Sequence, residues 1–300
     1  MEIHNFEELK GMLVQNEKKV VVLAAAHDTH ALEAVFKANE EGLIDYILVG
    51  NADKIKSIAT DLNHALNLSG VIDEQENEAC AKKAVELIRT GKGHILMKGK
   101  ITTAELLKAV VNKEEGIRDA KVLSHVAIVE SPSYHKLIAI TDSGMLIAPD
   151  LEQKKEMLKN AFSLFRNMGY EKPKASILAA IETVNPKMQE TVDAAALKEM
   201  SLNGEFGDCL VDGPVSFDLA VSKEAAEIKD FESEVTGNVD ILMTPGIAAG
   251  NIVLKSMLYM GGAVMAGCIM GAKVPIVLTS RAASFEEKYN SIVLCAAMGK

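Results

Sequence analysis

The sequence predicts an α/β protein whose mostly parallel sheet is covered by helices on both faces. Three observations carry this. Apolar residues switch repeatedly between short continuous runs and stripes of helical period. The short runs are apolar on both faces, as strands buried between two helical layers must be. The strand–helix alternation persists to the C-terminus, with no internal repeat, low-complexity tract or Pro/Gly/Ser linker.

Taken in order, the first strand is expected over 20–26, a helix over 29–40, and strands over 46–50 and 94–98 with a helix over 76–89 between them. Thr102 and Glu105 stand at capping-box spacing and start a helix over 104–111. Runs 123–129 and 137–141 flank the polar turn Ser131-Pro-Ser-Tyr134, which predicts an antiparallel hairpin within the otherwise parallel sheet. Asp150 and Gln153 cap a long helix over 151–168. A strand over 175–180, a helix over 186–200 and a strand over 209–212 follow. Pro214 is expected to start the next helix, whose helical stretch is read over 217–228. The last elements are a strand over 241–244, a helix over 249–259, a strand over 274–279 and a helix start marked by Ser284 and Glu287. The uncharged stretch 256–272 contains Gly261, Gly262, Gly267 and Gly271. It falls short of the roughly 20 apolar residues a bilayer requires, and is read as a buried helix running into the next strand.

With 300 residues, 48% hydrophobic and 25% charged, the chain suits two ordinary domains or one large α/β unit. Its first apolar run follows a polar, charged opening, so no secretory signal is expected and a soluble cytoplasmic protein is. The cysteines Cys80, Cys209, Cys268 and Cys295 form no Cys-x-x-Cys pair and have no histidine at ligand spacing. Buried free thiols in a reducing compartment are expected, with no metal site. His27 and His30, the one close pair of histidines, read as turn or core residues. A net charge of −10 argues against nucleic acid, which needs a basic face to displace counterions. Aromatics make up 4% and Trp is absent, so base-stacking platforms are not expected. An anionic ligand would have to be held locally, by a few cations and backbone N–H groups.

In open α/β sheets ligands gather at the carboxyl ends of strands, which singles out four loops. Met97-Lys-Gly-Lys-Ile-Thr-Thr-Ala-Glu105 offers the cations Lys98 and Lys100, Gly99 for close approach to a ligand, and a capped helix start. Free N–H groups, the helix dipole and two lysines would suit phosphate. The competing reading is a capped helix with solvated lysines, and the spacing is not that of a nucleotide P-loop. In the loop after 137–141, Asp142 could orient a substrate or a neighbouring cation, or hold the loop by accepting backbone N–H bonds. Asp212, in Val211-Asp-Gly-Pro214, is expected to accept backbone donors. The strand over 274–279 delivers Thr279, Ser280 and Arg281 to its carboxyl end. Arg281 could donate two N–H groups to a phosphate or acyl oxygen, and Ser280 could bond a thiol, thiolate or carbonyl. No Gly-x-Ser-x-Gly elbow marks Ser280 as an activated nucleophile.

Seven strings stand in one order: Leu96-Met-Lys-Gly-Lys-Ile-Thr-Thr103, Leu123-Ser-His-Val-Ala127, Ile140-Thr-Asp-Ser-Gly-Met145, Ile147-Ala-Pro-Asp150, Val211-Asp-Gly-Pro214, Ala249-Gly-Asn251 and Val274-Pro-Ile-Val-Leu-Thr-Ser-Arg-Ala282. Together they resemble the phosphate acetyl/butyryltransferase family over nearly the whole chain, the butyryl branch more than the acetyl branch. The resemblance implies two α/β/α three-layer domains of isocitrate/isopropylmalate dehydrogenase-like fold with a cleft between them. Residues 1–127 plus 279–300 would form the first domain and 128–278 the second. It implies a homo-oligomer, a dimer or a multiple of dimers, and no metal or prosthetic group. The implied reaction moves a short acyl group, butyryl by preference, reversibly between coenzyme A, a substrate here, and inorganic phosphate.

Carried onto this chain, the resemblance makes Arg281 the group that binds the phosphoryl moiety and stabilises developing charge, with Ser280 bonding the sulfur. Lys98, Gly99, Lys100, Thr102 and Thr103 would hold phosphate or acyl phosphate, and Asp142 and Asn251 would line the substrate site. Acetyl-branch enzymes carry an aspartate seven residues after the serine, where this chain has Glu287, which also fits the helix cap. Butyryl-branch relatives often have Asp and Glu where this chain has Ala283 and Ala248. Rival readings are acetyl transfer and a non-catalytic acyl-CoA-binding regulatory module. A pyridine-nucleotide oxidoreductase is a third, but Ala24-Ala-Ala-His-Asp28 stands where its glycine-rich turn would be.

Overall fold

The computed structural model describes residues 2–15, 17–280 and 283–298. In chain order the elements begin α1 (Phe6–Gly11), β1 (Lys19–Ala24), α2 (Thr29–Glu40), β2 (Ile44–Gly50), α3 (Ala52–Asp61), β3 (Val71–Asp73), α4 (Asn77–Arg89), β4 (Ile95–Lys98) and α5 (Thr103–Val110). They continue with β5 (Ser124–Glu130), β6 (Ile138–Thr141), α6 (Leu151–Asn167), β7 (Lys174–Leu178), α7 (Gln189–Leu202), β8 (Leu210–Val215), α8 (Phe217–Val221) and α9 (Lys223–Ile228). The last are β9 (Ile241–Met243), α10 (Ile247–Tyr259), β10 (Val264–Met270), β11 (Ile276–Val277) and α11 (Phe285–Ala297).

The chain divides into two compact units. Among the described residues, one comprises those within 6–123 and 266–298, the other those within 2–5 and 124–265. The divisions fall just before β5 and inside β10, where the sequence expectation set them at 127/128 and 278/279. In the first unit the strand order is β3-β2-β1-β4-β11-β10, parallel except where β10 meets β11. In the second it is β5-β6-β9-β7-β8, parallel except for the β5–β6 pair. That pair is the antiparallel hairpin expected around the Ser131-Pro132 turn, with Val126 opposite Thr141.

Each sheet lies between apolar helix faces. In β1 Val21 to Ala24 are all buried, and α2, which begins at Asp28 through a side-chain cap on Ala31 N, turns Leu32, Val35 and Phe36 inward. In the second unit Ile140, Leu242, Val215 and Leu219 share one core with Leu254 of α10. The first residues of the chain also belong to this unit. Ile3 is buried, donates its N–H to the Tyr170 hydroxyl and accepts from Leu137 N. Glu2 pairs at 3.3 Å with Lys136, which is 1% exposed and bonds Asp240 at 2.6 Å.

Several expectations need correction. The stretch 256–272 is not a buried helix. α10 stops at Tyr259, Gly262 turns the chain at φ +67°, and Val264–Met270 forms β10. An unbroken apolar run does not distinguish a buried helix from a strand buried on both faces. Nor is α10 itself buried: Gly250 and Leu254 are, while Ile252 and Tyr259 are 66% and 80% exposed, and Met260 just beyond its end is 88% exposed. Pro214 does not open a helix but lies within β8, at the edge of its unit's sheet, where a missing N–H is tolerated. The stretch 217–228 is two helices, because Ser222 ends α8 and caps α9 through Ala225 N. The elements α1, α3 and β3 were not anticipated; β3 has three residues and none is buried. Among the described residues, no helix is long and apolar enough to cross a membrane.

Candidate functional site

In the first unit β4 and β11 run parallel side by side, with Leu96 beside Ile276 and Met97 beside Val277. Their carboxyl ends therefore release the 98–103 turn and the 278–280 segment next to each other, on one edge of one sheet. Ser280, exposed, leaves that edge; Arg281 lies outside the described residues.

The 98–103 turn is built differently from the expected cradle of free N–H groups. Gly99 N donates to Ala24 O and Lys100 N to Ala25 O, both at 2.9 Å, while Ile101 N turns back to Gly99 O. A side chain on Gly99 would place its Cβ 2.3 Å from Ala25 O. The glycine thus permits close approach of the chain's own β1 loop, and these N–H groups are engaged within the fold. Lys98 is 8% exposed, and its ammonium donates to the carbonyls of Gly99 (3.2 Å) and Ile101 (3.1 Å). Its charge is held beneath the turn while Lys100 extends into solvent.

The expected capping box is present at α5. Thr102 Oγ1 accepts from Glu105 N, and Thr102 N and Oγ1 both donate to Glu105 Oε2. These bonds from Thr102 hold the exposed Glu105 carboxyl below its usual range. A carboxylate thus already stands at this helix start, and an incoming oxyanion at Thr102 or the exposed Thr103 must displace or share it.

Sequence reasoning passed over Lys288. This α11 residue is 6% exposed, and its ammonium donates at 3.0 Å to Thr279 Oγ1, beneath the segment that ends in Ser280. The Ser280 carbonyl accepts from Ala283 N at 3.1 Å. Of the expected Ser284–Glu287 box only one half forms: Ser284 Oγ accepts from Glu287 N. Burial pushes the Glu287 carboxyl above its ordinary value, with the neighbouring Lys288 charge opposing.

In the second unit Asp142 holds its loop. Fully buried, it accepts from His125 N through Oδ2 and from Gly144 N and Met145 N through Oδ1, at 2.7–2.9 Å. His125 Nδ1 meets Ser143 Oγ at 2.9 Å, and burial pulls the imidazole's pKa down against the opposing pull of Asp142. Asn251 Nδ2 donates to Ser143 O at 3.2 Å. One residue earlier in α10, Gly250 lets that helix approach: a Cβ there would stand 2.3 Å from Asp142 O. Asp142 and Asn251 thus converge on one loop. At Asp212, Oδ1 accepts from Gly213 N, as expected, and also from Lys198 Nζ at 2.7 Å.

The family model described as "Phosphate acetyl/butaryl transferase" matches residues 6–84 and 77–296. The chain is 40% identical to the phosphate butyryltransferase of Clostridium acetobutylicum, over 98% of each chain. It is 41% identical to the phosphate acetyltransferase of Thermotoga maritima, over 97% of this chain and 98% of that one. Among solved structures, a branched-chain phosphotransacylase from Enterococcus faecalis V583 superposes with a TM-score of 0.81. That match has 34% identity and covers 93% of this chain and 98% of the other. Matched nearly end to end, this chain belongs to the phosphate acetyl/butyryl transferase family.

Proposed function

We propose that this protein moves a short acyl group, butyryl in preference to acetyl, reversibly between coenzyme A and inorganic phosphate. The observation that carries the reading is the parallel pairing of β4 with β11, which brings the lysine-bearing turn and the Ser280 segment to one sheet edge. A phosphate oxygen attacks the thioester carbonyl, charge gathers on the carbonyl oxygen, and the C–S bond breaks as the CoA thiolate leaves. In reverse, the thiol gives up its proton before attacking acyl phosphate. Arg281 meets the phosphoryl group and the developing charge, and Ser280 bonds the sulfur. Lys100, with the buried charge of Lys98 behind it, draws the phosphate in; Gly99, Thr102 and Thr103 shape the turn around it. Asp142 and Asn251 hold a second loop against the substrate. Alignment of the two substrates contributes up to ~7–11 kcal/mol of the barrier reduction. No metal or prosthetic group takes part.

Acetyl transfer is the competing reading, favoured by the identity to the Thermotoga maritima enzyme. Each buried methylene is worth about 0.8 kcal/mol, so a pocket shaped for butyryl discriminates by chain length. Thiol release from an acetyl-to-hexanoyl series of acyl-CoAs, with and without phosphate, tests both. Phosphate-dependent release that peaks at butyryl is expected; a peak at acetyl transfers the proposal to the rival, and no release from any thioester removes it. We further propose a cytoplasmic homodimer, or a multiple of dimers, joined through the exposed apolar residues of α10. Light scattering during gel filtration gives the mass that checks this.

A further inference from the structure

The carboxyl edge of the first unit's sheet carries a second feature, two strands from β11. A groove of about 490 Å³ opens beside the ends of β1 and β2, lined by His27, Asp28, Thr29, Lys54, Ser57 and Lys100 among others. Its charge is unusual for a chain with net charge −10. Among the described residues neither Lys54 nor Lys100 forms an ion pair, whereas Lys10, Lys37, Lys82, Lys83, Lys155 and Lys229 each do. Asp28, the one carboxylate in the lining, is engaged at the α2 cap through Ala31 N.

His27 completes the arrangement. Its Nδ1 is buried with no hydrogen-bond partner, packed where a side chain on Gly50 would place its Cβ 3.3 Å away. That leaves Nε2 as the ring nitrogen able to serve a ligand. Burial, then the charges of Lys54 and Lys100, pull the imidazole's pKa down, with Asp28 opposing. Both lysines therefore act on the same small volume as the ring. Two unpaired ammonium groups, an imidazole and the hydroxyls of Thr29 and Ser57 match the oxygens of a phosphate monoester. No Phe, Tyr or Trp lines the groove, which offers charge, two imidazoles and hydroxyls.

We infer that this groove binds the phosphate-bearing nucleotide end of the acyl-CoA substrate, with Lys54 and His27 around the ribose 3′-phosphate and Lys100 on the side of the groove nearer the acyl-transfer edge. The inference rests on the acyl-transfer reading for the identity of the ligand. The β2 end, where α3 and Lys54 begin, stands three strand spacings from β11, roughly 14 Å. An extended pantetheine arm is long enough to bridge that span to a thioester at Ser280. Free phosphate has the same head-group chemistry but lacks the tether, so the two sources separate in experiment.

The test compares butyryl-CoA with butyryl-3′-dephospho-CoA in the wild type and in Lys54→Ala, a change at an exposed position outside the acyl-transfer loops. In the wild type, losing the 3′-phosphate should lower kcat/KM about tenfold or more, as expected for removing a charged contact. In Lys54→Ala the two substrates should become nearly equal. A parallel titration follows the His27 ring by NMR with 3′,5′-ADP or inorganic phosphate as the probe. The nucleotide should raise the His27 pKa at concentrations where phosphate does not, and Lys54→Ala should weaken that response about tenfold. Acyl transfer with equal discrimination in both proteins overturns the groove assignment and leaves the acyl-transfer reading standing. Absence of transfer, with Lys54-dependent binding of 3′,5′-ADP, overturns that reading and supports the groove as a nucleotide phosphate site. Equal response to inorganic phosphate and 3′,5′-ADP also overturns the assignment.

Discussion

The ammonium of Lys288 donates to the Thr279 hydroxyl at 3.0 Å, and both residues are buried. A cation one helical turn into α11 thereby anchors the residue that precedes Ser280. Replacing it by methionine keeps the length and removes the donor and the charge. Lys288→Met should lower stability by ~1.5–3 kcal/mol, the usual worth of a hydrogen bond from a charged group, and reduce kcat/KM for acyl transfer. Lys288→Met with Thr279→Val removes both partners and should recover most of the stability but not the activity. Denaturant titration and thiol-release kinetics on the same samples check this; equal recovery of both would make Lys288 a purely structural residue.

Arg281→Ala should lower kcat/KM by about a hundredfold or more, in line with the loss of a donor aimed at developing charge. Steady-state kinetics with butyryl-CoA and phosphate give the number directly. Near wild-type turnover would place the charge-stabilising group elsewhere.

Asp142→Ala removes the acceptor for the N–H groups of His125, Gly144 and Met145 inside the second unit. The buried His125 N–H left without a partner and two part-buried donors losing theirs make this costly, on the order of 3 kcal/mol. Asn251→Ala, which releases a single carbonyl, should cost about 1 kcal/mol. Thermal unfolding of the two variants side by side tests the ranking; an Asp142→Ala protein as stable as the wild type would move Asp142 from loop anchor to substrate ligand.

His125 is held neutral by burial, so its pKa in the folded chain lies below the ordinary 6.5. The unfolded chain takes up this proton first. The stability associated with the neutral ring is therefore complete above pH 6.5 and is lost as pH falls below it toward the folded value. His125→Asn should flatten the stability profile between about pH 7 and pH 5. Denaturant midpoints across that range give the slope; parallel profiles for the two proteins would show that His125 does not titrate on unfolding.

Much of the architecture was legible because period and caps agreed. Thr102 and Asp150 each cap a helix at the position their spacing indicated, and α2 spans the expected residues. The antiparallel β5–β6 pair followed from a polar turn between two short runs. What escaped was set by tertiary environment. The residues of β10 are apolar at every position, because both faces are covered, so no period of two was visible. Gly99 was legible as a close approach, but not as an approach to Ala25 of the same chain. Lys288 carried no signal, since a lysine in the first turn of a helix ordinarily faces solvent. The loops at 98–103 and 142–145 were rightly singled out as chain ends of strands. At 142–145 Asp142 holds its loop by accepting N–H bonds, one of the two roles its position had suggested. The bonding of the 98–103 turn could not be read beforehand, because its acceptors, the Ala24 and Ala25 carbonyls, lie far away in sequence.

The strap formed by Glu2 and Ile3 has a practical corollary for dissecting the molecule. A fragment cut at residue 123 would carry these residues away from the body they stabilise. It would leave Lys136 without its Glu2 partner and the Tyr170 hydroxyl and Leu137 amide without Ile3. Expression of the middle segment alone should therefore begin with residues 1–5 spliced ahead of 124 through a short flexible joint, and purification tags belong at the other terminus.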